Sequence, residues 1–236
     1  PHCLFETVSL NAITEVYDHH FGFEEFWKNQ IGSKAKIERV GACATLIWEQ
    51  YKMKGLGDHI YPTDANLLCT AIFSNTLDFK SKMTSKRDLS AFDELQTLST
   101  LSSTWKSEYY SSIQKNILKN VTQSILDDTK IVKFMRKNLY FGQIELWNSS
   151  GLIFSINQHS LQNCFEDKFR ETNPFFILNS VSIQENKSYI ITNVPILKEY
   201  LECYTKAHPL DAEVLVTDSL WQRKELLAGM TMLLNK

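Results

Sequence analysis

An acidic residue followed by two histidines, Asp18-His19-His20, is the part of the sequence best suited to chemistry. It comes directly after Val16 and Tyr17, which we expect to end a buried parallel strand, and open α/β sheets bind ligands at that end of their strands. A neutral imidazole suits Mn, Fe, Co or Zn, and the adjacent carboxylate can add charge or orient a ring. The triplet predicts a site for a divalent metal and a phosphate, although taken alone it also fits a hydrogen-bonded histidine pair at a turn.

Two segments downstream add to this prediction. The small-residue stretch Gly41-Ala42-Cys43-Ala44 begins a helix predicted for 42–53. We expect Gly41 to let the helix start approach the histidine loop, with backbone amides that favour an anion. A plain close-packed helix is an equally good interpretation. A second helix, from Asp64, runs into the turn Ser74-Asn75-Thr76.

In this order and at these distances, the triplet, the segment 40–47 and the segment 71–81 resemble the DHH phosphoesterase superfamily. The resemblance is to the branch of the manganese-dependent (family II) inorganic pyrophosphatases. It implies an α/β fold, with a partial parallel, Rossmann-like DHH domain at 1–95 and a linker at 96–105. A smaller mixed-sheet α/β domain of the DHHA2 type would occupy 106–236.

The resemblance also implies roles for the motif residues. His19 would be a metal ligand, Asp18 and His20 would be catalytic, and His20 would also face the substrate phosphate. Asn75 stands where the family has a metal-binding aspartate, and a neutral amide is a weaker ligand for a dication. Asp78 is too poorly placed in the predicted extended segment to replace it. The implied cofactor is Mn²⁺, with Co²⁺ or Mg²⁺ as alternatives.

The family's first-strand motif, His-x-x-x-Asp-x-Asp, is not found in the sequence, which begins at Pro1. We therefore expect either a fragment of a longer protein or an incomplete metal site. In both cases the chain as given should hydrolyse little pyrophosphate.

In the second half, a long helix is predicted from Trp105 to about 126, with strands at 141–147, 151–156, 175–178, 188–192 and 212–216 and helices near 160–170, 196–205 and 225–234. Asp128-Thr129-Lys130 matches the family's Asp-x-Lys, so Lys130 would bind substrate phosphate across a cleft. Arg223-Lys224 matches its basic clamp. In a second, slightly preferred alignment, Thr217-Asp218 places Arg223-Lys224 in the preceding loop and the clamp is absent.

Composition narrows the class of protein. A formal net charge of -2 argues against a broad nucleic-acid-binding surface. No apolar run is long enough to span a bilayer, and no signal segment is recognisable. The five cysteines are odd in number and widely spaced, which favours reduced thiols in a cytoplasm. An exposed edge strand of a truncated sheet would favour a homodimer.

Taken together, the sequence predicts a DHH-type, metal-dependent phosphoanhydride or phosphoester hydrolase acting on pyrophosphate or another small phosphorylated substrate. Whether the chain is itself an enzyme stays open. One alternative is a non-catalytic phosphate-binding or scaffold member of the family. A weaker one is a nucleotide phosphodiesterase, in which Trp147 or Trp221 would stack a base.

Overall fold

The computed structural model describes residues 8–234, with side chains as far as 230. The chain forms two compact units that divide between Ser102 and Ser103.

The first unit is a short parallel sheet with helices around it. Its elements are β1 (Val16–Asp18), α1 (Glu24–Ile31), β2 (Ala35–Ile37), α2 (Cys43–Met53), α3 (Pro62–Asn75) and α4 (Lys86–Leu98), with 3₁₀ turns at Leu10–Ala12, Gly32–Lys34 and Gly57–His59.

Sequence signals explain where the helices of this unit begin. Pro62 opens α3, where its fixed φ suits the first turn, and Asp64 adds negative charge there. Ser85 caps α4 in a capping box with Asp88. The helices bury apolar side chains of α2, α3 and α4 against one another, namely Leu46, Trp48, Cys69, Ile72, Phe73, Phe92 and Leu95.

The second unit is a mixed sheet covered by helices. Its elements are α5 (Trp105–Lys119), α6 (Val121–Asp127), β3 (Lys130–Phe134), β4 (Lys137–Leu146), α7 (Ser150–Ile153), α8 (Gln158–Phe169), β5 (Phe175–Ser182), β6 (Lys187–Thr192), α9 (Pro195–Thr205), β7 (His208–Pro209), β8 (Val214–Val216) and α10 (Arg223–Leu234). The strand order is β3-β4-β5-β6-β8-β7, in which β4 and β5 are parallel and the other neighbours antiparallel.

Alternating residues of this sheet supply two separate cores. On β5, Phe176 and Leu178 enter a cluster with α6 and α8, while Ile177 between them enters a cluster with α9 and α10. Both faces of the strand are therefore covered, which is why it reads as a continuous apolar run in the sequence.

Several predicted elements need correction. The strand predicted at 151–156 is wrong, because Ser150–Ile153 is a helical turn. The long helix from Trp105 is two helices, since Asn120 ends one and its side chain caps the next. Strand β3 was not predicted. The remaining strands and helices of the second half are confirmed within a few residues.

Among the helices in residues 8–234, none is long and apolar enough to cross a membrane.

Candidate functional site

The Asp18-His19-His20 triplet lies at the carboxyl end of β1. This strand pairs in parallel with β2, and Asp18 is opposite Ile37. The predicted parallel strand end is thus confirmed, but the strand is only partly buried. In the first unit, the triplet sits where parallel α/β sheets present ligand-binding residues.

One carboxylate oxygen organises the triplet. Asp18 Oδ1 accepts the His19 amide at 2.7 Å, the His20 amide at 3.0 Å and the His20 Nδ1–H at 2.8 Å. Burial raises the pKa of Asp18, but the hydrogen bonds from the His20 side chain and the two amides outweigh it, so the pKa lies below its usual range. Asp18 is therefore ionised at neutral pH.

The imidazole of His19 is oriented by a backbone carbonyl. Its Nδ1 lies 3.2 Å from the oxygen of Val40. Because a carbonyl can only accept, Nδ1 carries a proton at this contact, so in a neutral ring Nε2 is the nitrogen able to bind a metal. The ligand atoms of Asp18, His19 and His20 lie within 4.8 Å of one another, and these residues form a group that could hold a metal ion.

His20 is more open than His19. Its side chain is 68% exposed, and its ring meets that of His19 edge to face with centroids 4.4 Å apart. Since Nδ1 is held by Asp18, the other ring nitrogen of His20 is the one that can meet a ligand. This geometry suits proton transfer or phosphate binding.

Two backbone amides just before α2 are bound by a carboxylate of the protein itself. The carboxylate of Asp88 accepts the amides of Gly41 and Ala42, at 2.8 and 3.2 Å. The Gly41 and Ala42 amides are therefore not available to an anion, and an anion site at the amides that follow them in α2 stays a prediction. Sequence reasoning missed Asp88, although the capping-box spacing Ser85-x-x-Asp88 marks it as a residue with a defined partner.

Asn75 is the last residue of α3. Its side-chain nitrogen, Nδ2, donates to the backbone carbonyl of Ala71, one turn earlier, at 2.9 Å. The next part of the motif is not extended. Leu77, Asp78 and Phe79 have φ of 53°, 56° and 60°, so three consecutive non-glycine residues adopt the left-handed conformation. Such residues carry strain that surrounding contacts must compensate. The extended geometry assumed for Asp78 is wrong.

In the second unit, Lys130 is exposed and opens β3. Arg223 opens α10, after Thr217 and β8, and not in a preceding loop. Its guanidinium contacts both oxygens of the Asp128 carboxylate at 3.1 Å, the Asp128 carbonyl, and the Phe141 carbonyl at 3.1 Å. The structure thus brings together the acidic residue of Asp-x-Lys and the first residue of Arg223-Lys224.

Beside this pair lies a polar network that sequence reasoning did not identify. Gln143 Oε1 accepts the Arg223 amide at 2.5 Å and the Asn179 side chain at 3.1 Å, and Gln143 Nε2 donates to Glu145 at 2.9 Å. Burial, followed by the charge of Asp128, raises the pKa of Glu145 to about 7. Asp128, Gln143, Glu145 and Arg223 line a pocket of about 390 Å³ with Ile113, Ile117, Ser124 and Ile144.

The two tryptophans considered for base stacking are packed within the second unit. Trp147 stacks on Tyr110 with centroids 5.1 Å apart, and Trp221 lies 5.2 Å from Tyr204. Cys43, Cys69, Cys164 and Cys203 are free thiols. Cys3 lies outside the described residues.

The fold and the triplet define an α/β protein with a candidate metal site at a parallel strand end. Its fold is that of a Methanococcus jannaschii protein assigned to the family II inorganic pyrophosphatases. That crystal structure matches with a TM-score of 0.67 and 20% identity, over 86% of this chain and 67% of the other.

Sequence comparison points the same way over part of the chain. It is 34% identical over 101 residues to a probable manganese-dependent inorganic pyrophosphatase of Staphylococcus haemolyticus, covering 41% of this chain and 30% of that protein. It is 41% identical over 75 residues to an A-adding tRNA nucleotidyltransferase of Aquifex aeolicus, covering 31% and 8%. The chain spans less than a third of these relatives. No protein-family profile matches it.

The resemblance to the DHH superfamily, in its family II pyrophosphatase branch, is therefore confirmed, as is the α/β fold class. The boundaries 1–95, 96–105 and 106–236, and the DHHA2 assignment, stay predictions.

Proposed function

We propose that this chain carries part of a DHH-type, metal-dependent hydrolase that acts on pyrophosphate or another small phosphorylated substrate. The observation that carries the proposal is the Asp18-His19-His20 group, with its donor atoms within 4.8 Å and the His19 ring held in the metal-binding tautomer. The matching pyrophosphatases are manganese-dependent by name, so Mn²⁺ is the first cofactor to test, followed by Co²⁺ and Mg²⁺.

The residues present fit such an ion. Within the described residues, the hydrogen bonds that hold the two histidines in place end on Asp18 Oδ1, and in the Nδ1–H tautomer the metal-binding nitrogen of His19 is Nε2. A bound ion would supply a water of lowered pKa and neutralise charge on the phosphoryl group. His20 would donate or accept a proton at its exposed ring nitrogen while Asp18 fixes its orientation.

For the second unit we propose Lys130 and Lys224 as phosphate-binding cations. Lys130 is exposed at the start of a strand. Arg223 has a different immediate role, because its guanidinium is held by Asp128 and the Phe141 carbonyl. It would fix the start of α10, on which Lys224 is the second residue.

The metal site is tested by calorimetric titration of the chain with Mn²⁺. His19→Ala should abolish binding, whereas His59→Ala, an exposed histidine of the same unit, should leave it unchanged. Equal binding by wild type and His19→Ala, or no binding by wild type, would refute the site.

Phosphate release from pyrophosphate in excess Mn²⁺ then separates the catalytic from the non-catalytic alternative. We expect turnover below about 1 per second, the low end for enzymes. Metal and phosphate binding with no turnover in any form of the protein would favour the non-catalytic phosphate-binding role.

The role of Asn75 has its own test. Asn75→Asp should tighten Mn²⁺ binding if the residue is a ligand, while the added negative charge at the end of α3 should lower the stability of the metal-free chain by about 0.5 kcal/mol. Lower stability with unchanged affinity would remove Asn75 from the metal site.

One observation supports the nucleotide phosphodiesterase as a second candidate. Phe21, which follows His20, is 46% exposed, and the Arg39 guanidinium lies 5.5 Å from its ring centroid. An aromatic ring and a guanidinium are the groups on which nucleobases stack. Phe21→Ala should weaken binding of a nucleotide but not of pyrophosphate. An equal effect on both ligands would count against this candidate.

A further inference from the structure

Asp88 is a buried carboxylate with an unusual number of hydrogen-bond donors. It has no exposed surface. Oδ2 accepts the Gly41 amide at 2.8 Å, the Ser85 amide at 2.8 Å and the Ser85 hydroxyl at 2.6 Å. Oδ1 accepts the Ala42 amide at 3.2 Å and the Thr45 hydroxyl at 2.6 Å. Five donors on one carboxylate fix its position firmly.

These bonds join two helices that are far apart in sequence. Asp88 belongs to the first turn of α4, and the amides it accepts precede α2, whose own N-cap residue Ala42 has no side chain able to cap it. Gly41 has no room for a side chain, since an added Cβ would lie 2.7 Å from the Thr76 methyl and 3.2 Å from Asp88 Oδ2. The backbone at Gly41 is thus held from two sides.

The same backbone orients His19. The Gly41 N–H and the Val40 C=O belong to one peptide unit, which is planar, so they point in opposite directions. At one edge of this peptide unit, Asp88 Oδ2 accepts the Gly41 N–H at 2.8 Å. At the opposite edge, the Val40 oxygen lies 3.2 Å from His19 Nδ1. Fixing the N–H therefore fixes the direction of the carbonyl, which in turn selects the tautomer of His19.

We propose that Asp88 is a positioning residue that acts through the Val40–Gly41 peptide to hold His19 with its proton on Nδ1, the tautomer in which Nε2 is the metal-binding nitrogen. The statement about the tautomer stands on the geometry alone, and the statement about the metal rests on the proposed function. Hydrogen-bond partners behind metal-binding histidines typically change metal affinity 10–100-fold when removed.

The first measurement is the ring ¹⁵N chemical shifts of His19 in the metal-free chain at a pH where the ring is neutral. In wild type they should show the Nδ1–H tautomer. Asp88→Asn, which places an amide group against at least one backbone N–H, should produce a mixture of tautomers. The second measurement is Co²⁺ affinity, which should fall about 10–100-fold in Asp88→Asn.

Ala91→Gly is the matched control, because it weakens the same helix, α4, without altering the carboxylate. It should leave both the tautomer and the Co²⁺ affinity of the folded chain unchanged. If Asp88→Asn does not fold, Thr45→Val removes one bond to the same carboxylate at similar volume and should shift both readouts in the same direction by a smaller factor.

Two results have distinct meanings. Wild-type ring shifts in every folded Asp88 and Thr45 variant would overturn the positioning role. A wild-type chain that binds no Co²⁺ would refute the proposed metal site, and the tautomer measurement would then decide on Asp88 by itself.

Discussion

Glu145 gives the second unit a pH dependence that one substitution should remove. It is a β4 residue whose pKa rises from 4.5 to about 7, because of burial and then the nearby charge of Asp128. When the pKa of a group is higher in the folded state than in the unfolded state, the group stabilises the folded protein fully at a pH below its pKa in the unfolded state. That stability is lost as the pH rises through the folded value, here between about pH 4.5 and 7.

The magnitude follows from this difference. Each pKa unit corresponds to about 1.4 kcal/mol, so the whole effect is about 3 kcal/mol, of which about 2 kcal/mol falls between pH 5.5 and pH 7.5. Glu145→Gln does not titrate and keeps the oxygen that accepts from Gln143. As the pH rises from 5.5 to 7.5, the free energy of unfolding of the variant should therefore increase by about 2 kcal/mol relative to that of wild type.

The assay is urea unfolding of both proteins at pH 5.5, 6.5 and 7.5. Comparing a variant with wild type cancels the contributions of the other titrating groups. Glu166→Gln serves as the control, because hydrogen bonds from the Gln162 side chain and the Asn173 amide lower the pKa of Glu166. The contribution of Glu166 to the free energy of unfolding is complete at a pH above its pKa in the unfolded state. The difference in stability between Glu166→Gln and wild type should therefore stay constant from pH 5.5 to 7.5. A flat difference for Glu145→Gln as well would refute the reasoning.

Three further substitutions test packing and hydrogen bonding. Gly41→Ala would place a Cβ 2.7 Å from the Thr76 methyl and should cost about 1–3 kcal/mol in urea unfolding, whereas Gly151→Ala, which meets open space, should change stability little. Arg223→Lys keeps the charge but loses the paired contact with a carboxylate, so we expect a loss of about 1–3 kcal/mol, and an unchanged midpoint would contradict this. Asn157→Ala removes the capping box of α8 and should cost about 1 kcal/mol, measured in the same way.

The strands of the second unit could be predicted because their apolar residues form short runs bounded by polar turns. Phe175–Ser182 is an example. Periodicity could not detect the break at Asn120, since Ile117, Val121 and Ile125 keep a four-residue spacing across it. The break lies in the Asn120 backbone, which is not helical (φ -152°, ψ 79°), and in its side chain, which caps α6. A four-residue apolar segment such as Ser150–Ile153 fits a strand or a helical turn equally well, so the sequence could not decide.

The triplet of the candidate site was visible in the sequence because its three members are adjacent. The residues that hold it were not. Asp88 lies 47 positions from the Gly41 amide that it accepts, and Arg223 lies 95 positions from Asp128. Such pairs depend on how helices pack, and no local spacing encodes that. The capping box at Ser85 showed that Asp88 has a local partner, but not that its second oxygen also reaches another helix.

Both units place a charged side chain against the backbone of a segment that carries a candidate site residue. In the first unit, the Asp88 carboxylate holds the peptide whose carbonyl orients His19. In the second unit, the Arg223 guanidinium holds the carbonyl of Asp128, two residues before Lys130. Substituting His19 or Lys130 therefore tests the proposed chemistry, and substituting Asp88 or Arg223 tests the geometry. If a folded Asp88 or Arg223 variant loses affinity for metal or phosphate, the contacts of that residue position the ligand-binding side chain in addition to stabilising the fold.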